Sequence, residues 1–298
     1  MPTLLLVNPV AGHGRAGRLM ESARDACARH WREVRVAVTT APGEGVELAR
    51  RAGAEGCARV LALGGDGTVH EAANGILALP PDQRPALGVI PSGTGNDYAK
   101  LSGTHRAGVD EAVRRLAHAR VVRLDAGRAW GEYFVNSIGI GFDAEVARRV
   151  GGYSRLRGAP AYLAAAFATF RAFDAPMLEV EGDGVSFRES TLLLEVGIGC
   201  IVGGGFRLTP DARPDDGLFD VCAIRRLGLF GFLGKLPLAM LGWHGRLSGV
   251  RMFRTTRLVV QASAGQPIVA QLDGELRTGN GPVTIEMVPA ALPVLLAA

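Results

Sequence analysis

The chain has 298 residues, 48% of them apolar and 21% charged, and its 33 basic and 29 acidic side chains leave a net charge of +4. That length suits two domains of roughly 150 residues each. The composition excludes a disordered chain, and a charge this mild with no dense basic patch excludes a dedicated nucleic-acid binder while leaving an anionic ligand or membrane surface open. Cys27, Cys57, Cys200 and Cys222 lie far apart with no C-x-x-C. They suit reduced, buried thiols of a cytoplasmic protein better than a zinc ribbon or redox pair. The chain opens on an apolar run with no basic region before it, so no signal peptide is expected. The most apolar window, residues 227–243, is broken by Gly228, Gly231, Gly234, Lys235 and Pro237. It falls short of the roughly 20 clean residues of a spanning helix.

Up to about residue 125 the pattern alternates. β-type runs at 3–7, 34–38, 60–62 and 87–90 are separated by helical patterns at 18–30, 45–53 and 69–79, and another helix follows at 109–118. Such alternation predicts a doubly wound parallel sheet, with ligands beyond the carboxyl ends of its strands. From about residue 124 short strand-like runs recur at 133–138, 177–180, 191–196, 218–224, 257–261, 268–272 and 283–288, with one helical stretch at 160–173. The expected fold class is α/β: an N-terminal doubly wound domain over 1–124 and a C-terminal, mostly β, sandwich-like domain over 125–288. The final segment, 289–298, carries an apolar run placed to cross back onto the first domain.

Three strand ends in the first half carry glycine-rich loops. The first follows Asn8-Pro9 and reads Gly12-His13-Gly14-Arg15-Ala16-Gly17, a G-x-G-x-x-G pattern. A dinucleotide fold wants an acidic residue at the end of the second strand, and Thr39-Thr40 stand there instead. The loop therefore reads as phosphate contact by N–H groups at a helix N-terminus, with an NAD-type site or a plain packing turn as alternatives. The second loop is Gly64-Gly65-Asp66-Gly67-Thr68, and Thr68 with Glu71 makes the T-x-x-E pattern of a capping box. Asp66 beside exposed N–H groups suits a Mg²⁺ between carboxylate and phosphate, or else a solvated turn. The third, Pro91-Ser92-Gly93-Thr94-Gly95-Asn96-Asp97, again gathers small residues and hydroxyls, or forms a tight Asx-capped turn. No G-x-x-x-x-G-K-[ST] occurs, which excludes a P-loop.

In the second half, the segment 134–144 ends a strand in Gly139 and Gly141, which admit another backbone or a ligand closely. The acidic turn around Asp215-Asp216-Gly217 suits a hard cation held by oxygens, or a solvated hairpin turn. Asp273-Gly274-Glu275 closes an apolar strand and by itself reads as an Asp-Gly turn. Phe167, Phe170 and Phe173, at i, i+3 and i+6, read as core rather than as a lipid site.

Taken together, Asn8-Pro9, the Gly12–Gly14 turn, Gly64–Thr68 and Ser92–Asp97 resemble the catalytic domain of the diacylglycerol kinase family. The likeness is to its soluble bacterial lipid kinases, which are related to sphingosine and ceramide kinases. The segment 134–144 looks like the family's F-x-N-x-x-G-x-G-x-D-A, and Asp273-Gly274-Glu275 like its D-G-E. The GGDGT box alone is shared with NAD and 6-phosphofructo kinases; the order and spacing of all the motifs is what resembles this family. The resemblance implies a NAD kinase/diacylglycerol kinase-like first domain and transfer of the ATP γ-phosphate to a lipid hydroxyl, with diacylglycerol yielding phosphatidic acid as the leading substrate. It implies ATP between the domains, held by Asn8, Pro9, Gly12, His13, Gly14, Gly64, Gly65, Asp66, Gly67, Thr68, Ser92, Gly93, Thr94 and Asn96, with Thr39 or Thr40 near it.

One Mg²⁺ would bridge the phosphates. A structural one would be held by the Asp216 carboxylate, or Asp215, and the carbonyls of Arg213 and Leu218. Asp273 or Glu275 would be the general base, with Asp273 favoured, and Asp66 and Asp125 would share a charged network with Arg15, Arg155 or Arg157. The implied partners are ATP and a lipid presented at a membrane surface. Contact with that surface would be peripheral, through 227–243 and its flanking Arg225, Arg226, Lys235 and Arg246. The resemblance admits a homodimer and points to no nucleic acid. The alternatives are a NAD kinase-like enzyme and a non-catalytic nucleotide- or lipid-binding protein of the same fold. S-G-T-G-N-D with the acidic turn weighs against the first, and intact Asp66 and Asp273-Gly274-Glu275 against the second.

Overall fold

The computed structural model describes residues 1–150, 166–170 and 172–297. The chain divides into two compact units, one made of Met1–Asp125 with the C-terminal segment from Ala290, the other of Ala126–Pro289.

The first unit runs β1 (Thr3–Val7), α1 (Ala11–His30), β2 (Val34–Val38), α2 (Glu44–Ala54), β3 (Arg59–Gly64), α3 (Asp66–Leu77), β4 (Ala86–Pro91), α4 (Asp97–Leu101) and α5 (Val109–Ala117). Its sheet has the order β4-β3-β1-β2, every pair parallel, with Leu5 beside Val36 and Leu61. All five residues of β1 and all six of β4 are buried, as expected of strands covered on both faces. Leu5, Val7, Leu61, Leu63 and Ile90 pack against Ala23, Ala26 and Cys27 of α1 and Ala112, Val113 and Leu116 of α5. On the other face α2 and α3 lie so close that a Cβ on Gly75 would stand 2.2 Å from the Val46 carbonyl oxygen.

The capping box expected at Thr68 and Glu71 does not form. Helix α3 starts three residues earlier, with Gly65 as an N-cap that has no side-chain bond. The Glu71 carboxylate instead accepts the N–H groups of Gly43 (2.8 Å) and Gly45 (2.9 Å), tying the start of α2 to α3. Tertiary donors at a neighbouring helix end outcompete the local bond. The short helix α4 carries no sequence periodicity and was not expected.

The second unit contains the end of β5 (Arg120–Ala129), then β6 (Glu132–Phe134), β7 (Ser137–Gly141), α6 (Phe142–Val150), β8 (Met177–Gly182), β9 (Val185–Gly197), β10 (Phe219–Arg225), α7 (Leu229–Leu241), β11 (Val250–Thr255), β12 (Arg257–Ala262), β13 (Ile268–Leu272), β14 (Glu275–Gly279) and the first half of β15 (Val283–Leu296), whose residues from Ala290 belong to the first unit. Its strands follow β14-β13-β7-β9-β8-β12-β15, with β10 and β11 continuing from β9. Strand β9 turns the corner between two layers, pairing β8 through residues 185–190 and β7 and β10 through residues 191–197. Between the layers lie Ile138, Leu194, Val196, Val221, Leu258, Val260 and Ile285, with the Phe134 ring stacked on Phe219 at 5.7 Å. The fold class is the expected one: a mixed α/β N-terminal part and a β-sandwich-like C-terminal part.

Several boundaries differ. The run at 133–138 is two strands, β6 and β7, broken at Val135 and Asn136. The runs at 283–288 and 292–296 are one strand, β15, which continues through Ala290 at φ 49°. Asp125 Oδ1 accepts the Ala290 N–H at 2.7 Å and holds that irregular point. Strands β5, β11 and β14 are polar enough on one face to read as loop. Of the helical stretch at 160–173, residues 166–170 are helical and 151–165 lie outside the described residues. Phe170 stacks on Phe232 at 4.2 Å, and both Phe170 and Phe173 meet the Phe142 ring edge-on, so they are core; Phe167 is 43% exposed. Among the described residues no helix is long and apolar enough to cross a membrane.

The Glu71 clamp has a measurable consequence. Glu71→Ala should lower the stability of the first unit by about 1.5–3 kcal/mol, the range for hydrogen bonds to a charged group. Urea unfolding followed by far-UV circular dichroism reads the shift.

Candidate active site

The three glycine loops meet at the carboxyl ends of β1, β3 and β4. After β1, the Asn8 side chain accepts the Val10 N–H (3.3 Å), the Asn8 N–H donates to Leu63 (3.2 Å), and Gly17 donates to the Pro9 carbonyl (3.2 Å). Gly12, His13 and Gly14 are all left-handed, with φ of 59°, 59° and 78°. A Cβ on Gly12 would lie 1.8 Å from the Ser92 carbonyl oxygen, so the first loop rests directly on the third. The second loop also touches the third: a Cβ on Gly93 would lie 2.4 Å from the Gly65 Cα. Gly93 donates to Gly64 (3.2 Å) and to Asn96 Oδ1 (2.9 Å), and the Asn96 amide returns a bond to the Gly93 carbonyl (2.8 Å).

The arrangement suits a polyphosphate. The first N–H groups of α3, from Asp66 to Thr68, have no partner within their helix and present its positive end. Thr68 Oγ1 and Ser92 Oγ are buried without a hydrogen-bond partner among the described residues. Asp66 Oδ1 accepts the Tyr98 N–H at 3.1 Å. Its other oxygen and Asp97 Oδ2 lie 2.9 and 3.6 Å from where a Gly95 Cβ would be, so two carboxylates flank one bare glycine. Oxygen ligands beside a phosphate-sized cradle fit a hard divalent cation. Asp97, 9% exposed and paired with Lys100 at 2.6 Å, ends the third loop's motif and is not among the residues the sequence singles out for the site.

Other expected residues stand differently. Thr39 Oγ1 donates to the Val7 carbonyl (3.4 Å), while the Thr40 N–H (2.6 Å) and hydroxyl (2.9 Å) both go to Glu44. Those bonds hold Glu44 below the usual carboxylate range. The Thr39 hydroxyl thus ties the end of β2 to the end of β1, and the Thr40 hydroxyl serves the entry to α2. His13, Arg15 and Thr94 are exposed at the edge of the cluster. Arg155 and Arg157 lie outside the described residues.

In the second unit, Asp273 (φ 51°) and Gly274 (φ 95°) form a two-residue hairpin between Leu272 and Glu275. Two left-handed residues are the geometry of a type I′ turn, which Asp-Gly favours. The Asp273 carboxylate accepts three backbone N–H groups: Val135 (2.9 Å) on Oδ2, Asn136 (2.8 Å) and Ser137 (3.1 Å) on Oδ1. This staple is what breaks the run at 133–138 into two strands. Both oxygens of Asp273, the residue the sequence favours over Glu275 as the base, are thus engaged by backbone N–H groups. Glu275 is exposed, and its carboxylate makes no hydrogen bond to another described residue.

At the acidic turn, Asp216 Oδ1 accepts the Leu218 N–H (3.1 Å) and Oδ2 is ion-paired with Arg254, which also reaches Asp220 at 3.3 Å. Burial, with Asp216 and Asp211 nearby, pushes the Asp220 carboxyl up against the pull of Arg254. Among the described residues no three His, Cys, Asp or Glu side chains are grouped to hold a metal. The donors are of the right chemical type, but Arg254 already supplies positive charge there.

Removing the staple should unlatch β6 from β7. Asp273→Ala leaves three N–H groups without acceptors and should cost roughly 2–4 kcal/mol. Asp273→Asn, which keeps one carbonyl oxygen, should fall between Ala and wild type. Chemical denaturation and amide exchange at Val135–Ser137 measure both.

Residues 2–129 match the family "Diacylglycerol kinase catalytic domain", and residues 136–296 match "YegS C-terminal NAD kinase beta sandwich-like domain". The chain is 31% identical over 240 residues to the protein named "Diacylglycerol kinase" of Bacillus subtilis, covering 80% of this chain and 77% of that one. It is 32% identical over 293 residues to the "Probable lipid kinase YegS-like" of Pseudomonas savastanoi pv. phaseolicola, covering 96% and 92%. A crystal structure of a diacylglycerol kinase from Bacillus anthracis superposes with a TM-score of 0.75 over 99% of this chain and 96% of that one, at 20% identity, and so shows the shared fold. With the three phosphate-type loops in its first part and the D-G-E turn in its second, the chain belongs to the lipid kinase family that joins a diacylglycerol kinase catalytic domain to a YegS-type C-terminal domain.

Proposed function

We propose that the protein transfers the γ-phosphoryl group of ATP to the free hydroxyl of diacylglycerol, giving phosphatidic acid and ADP. The observation that carries this reading is the meeting of three glycine loops beside the Asp66 and Asp97 carboxylates. The substrate is supported by the name of the Bacillus subtilis relative. In this reading the backbone of Gly12–Gly14, Gly64–Thr68 and Ser92–Asn96 binds the phosphates, with Asn8 and Pro9 shaping the first loop. Asp66 and Asp97 would hold a Mg²⁺ that neutralises charge as the bond to the leaving oxygen breaks. Glu275 takes the proton of the attacking hydroxyl, since Asp273 is engaged as a staple.

The acidic turn would hold a separate, structural Mg²⁺ through the Asp216 carboxylate and the carbonyls of Arg213 and Leu218, in competition with Arg254.

Glu275→Gln should slow phosphoryl transfer by about 10²–10⁴-fold, with KM for ATP nearly unchanged; Asp273→Asn should lose stability more than rate. Asp66→Ala should lose at least tenfold, about 1.4 kcal/mol in the barrier. The test is phosphate transfer from labelled ATP with Mg²⁺ to a panel of hydroxyl lipids, with NAD alongside. Turnover of NAD and not of any lipid, or full activity in Glu275→Gln, would overturn the reading. At the acidic turn, Mg²⁺ should raise the melting temperature of wild type and not of Asp216→Ala; a wild-type melting temperature indifferent to Mg²⁺ removes that site.

A further inference from the structure

Helix α7 is apolar on every side, yet only one side is buried. Phe232 and Ala239 face the aromatic cluster with Leu236 and Met240. At 100° per residue, positions 230, 234, 237 and 241 fall on one opposite stripe, occupied by Phe230, Gly234, Pro237 and Leu241, all exposed. Phe230 is 91% exposed, Leu241 55%, and Trp243, just past the Gly242 C-cap, 68%. The only charged residue of the helix is Lys235, whose ammonium donates to the Ser248 carbonyl at 3.0 Å. A helix of 13 residues is about 20 Å long, too short to span a bilayer. An apolar helix with an uncovered face and basic flanks suits the plane of a membrane interface.

The stretch of sequence that holds it carries charge of one sign. From Val221 to Leu272 there is no Asp or Glu, while Arg225, Arg226, Lys235, Arg246, Arg251, Arg254 and Arg257 all occur. Some are spoken for: Arg226 pairs with Asp174, Arg254 with Asp216 and Asp220, and Arg257 with Glu286. Arg225 and Arg246 make no ion pair with another described residue. Beside the C-terminal end of α7, Arg207, Arg213 and Arg246 line an open groove of about 1290 Å³ together with Leu241 and Trp243. The acids lining that groove are Asp211 and the pair Asp216 and Asp220, which share Arg254, so its four arginines exceed its three carboxylates by one.

We propose that α7 and the turn after it dock on an anionic lipid bilayer. Phe230, Leu233, Leu241 and Trp243 enter the interface, while Lys235, Arg207 and Arg246 meet the headgroup phosphates. The kinase reading is deepened here only by naming where the lipid surface is met, and the docking test does not depend on turnover.

The experiment is co-sedimentation of the full chain with vesicles of phosphatidylcholine alone or with about a quarter phosphatidylglycerol, at low and high salt. Wild type should partition at least tenfold better onto the anionic vesicles, lose that preference in high salt, and show a blue shift of Trp243 fluorescence that Trp243→Phe removes. The double variant Phe230→Glu/Leu241→Glu should bind at least tenfold more weakly. Its melting temperature, and its activity on diacylglycerol dispersed in detergent micelles, should match wild type, because neither residue belongs to the catalytic machinery. Wild type indifferent to lipid charge, or a double variant that binds as well as wild type, would overturn the proposal. So would a wild-type dimer that the double variant converts to monomer, since the face would then cover a second copy. Failure of the kinase reading shows separately, as no turnover in micelles with vesicle binding intact.

Discussion

The first unit depends on backbone touching backbone at the ends of three parallel strands. Gly12 lies against the Ser92 carbonyl, and Gly65 against Gly93, at separations that leave no room for a Cβ. Side chains at these positions would push the loops apart and separate the N–H groups of α3 from those of the neighbouring turns. The constraint also explains why the loops fold as they do. Gly12 and Gly14 tolerate the left-handed conformation at little cost, and His13 between them is carried into it. A cluster of donors lined by backbone alone is what a polyphosphate needs for close approach.

Acidic residues divide by what holds their oxygens. Asp273 accepts three backbone N–H groups, Asp125 fixes the irregular point in β15, and Glu71 clamps the entry to α2. Each works as a structural acceptor, although the sequence reads Asp273 as a candidate base, Asp125 as part of a charged network and Glu71 as half of a capping box. Asp66 and Asp97 instead converge beside Gly95, and Glu275 remains in solvent one residue past a tight turn. That division moves the base from Asp273 to Glu275 in the proposed chemistry, and it rests on which carboxylate the backbone has already claimed.

The second unit solves a different problem. Its aromatic cluster uses Phe142, Phe170 and Phe232 to seat one side of α7. With that face filled, the apolar residues on the other side have no interior left to enter. Sandwich packing does not account for this exposed apolar face, and the stretch 221–272 that holds it contains no Asp or Glu.

The sequence by itself determined the strand-and-helix alternation of the first unit, because strands buried on both faces are continuous apolar runs and glycine loops punctuate them; β1 and β2 coincide with the expected runs residue for residue. It determined the three loops too, since no residue but glycine leaves their backbone bare. It also placed the Asp273-Gly274 turn, whose two left-handed positions suit that dipeptide. Tertiary structure decided where long-range acceptors act. The break between β6 and β7 comes from a carboxylate 136 to 138 positions away. The T-x-x-E pattern at Thr68 gave way because Glu71 found donors on another helix. Strands such as β14, whose pattern is mostly polar, form because a partner strand offers ladder bonds, and no local periodicity announces a partner. Local propensity and patterning are written residue by residue, whereas which donor meets which acceptor is settled only when distant segments are packed together.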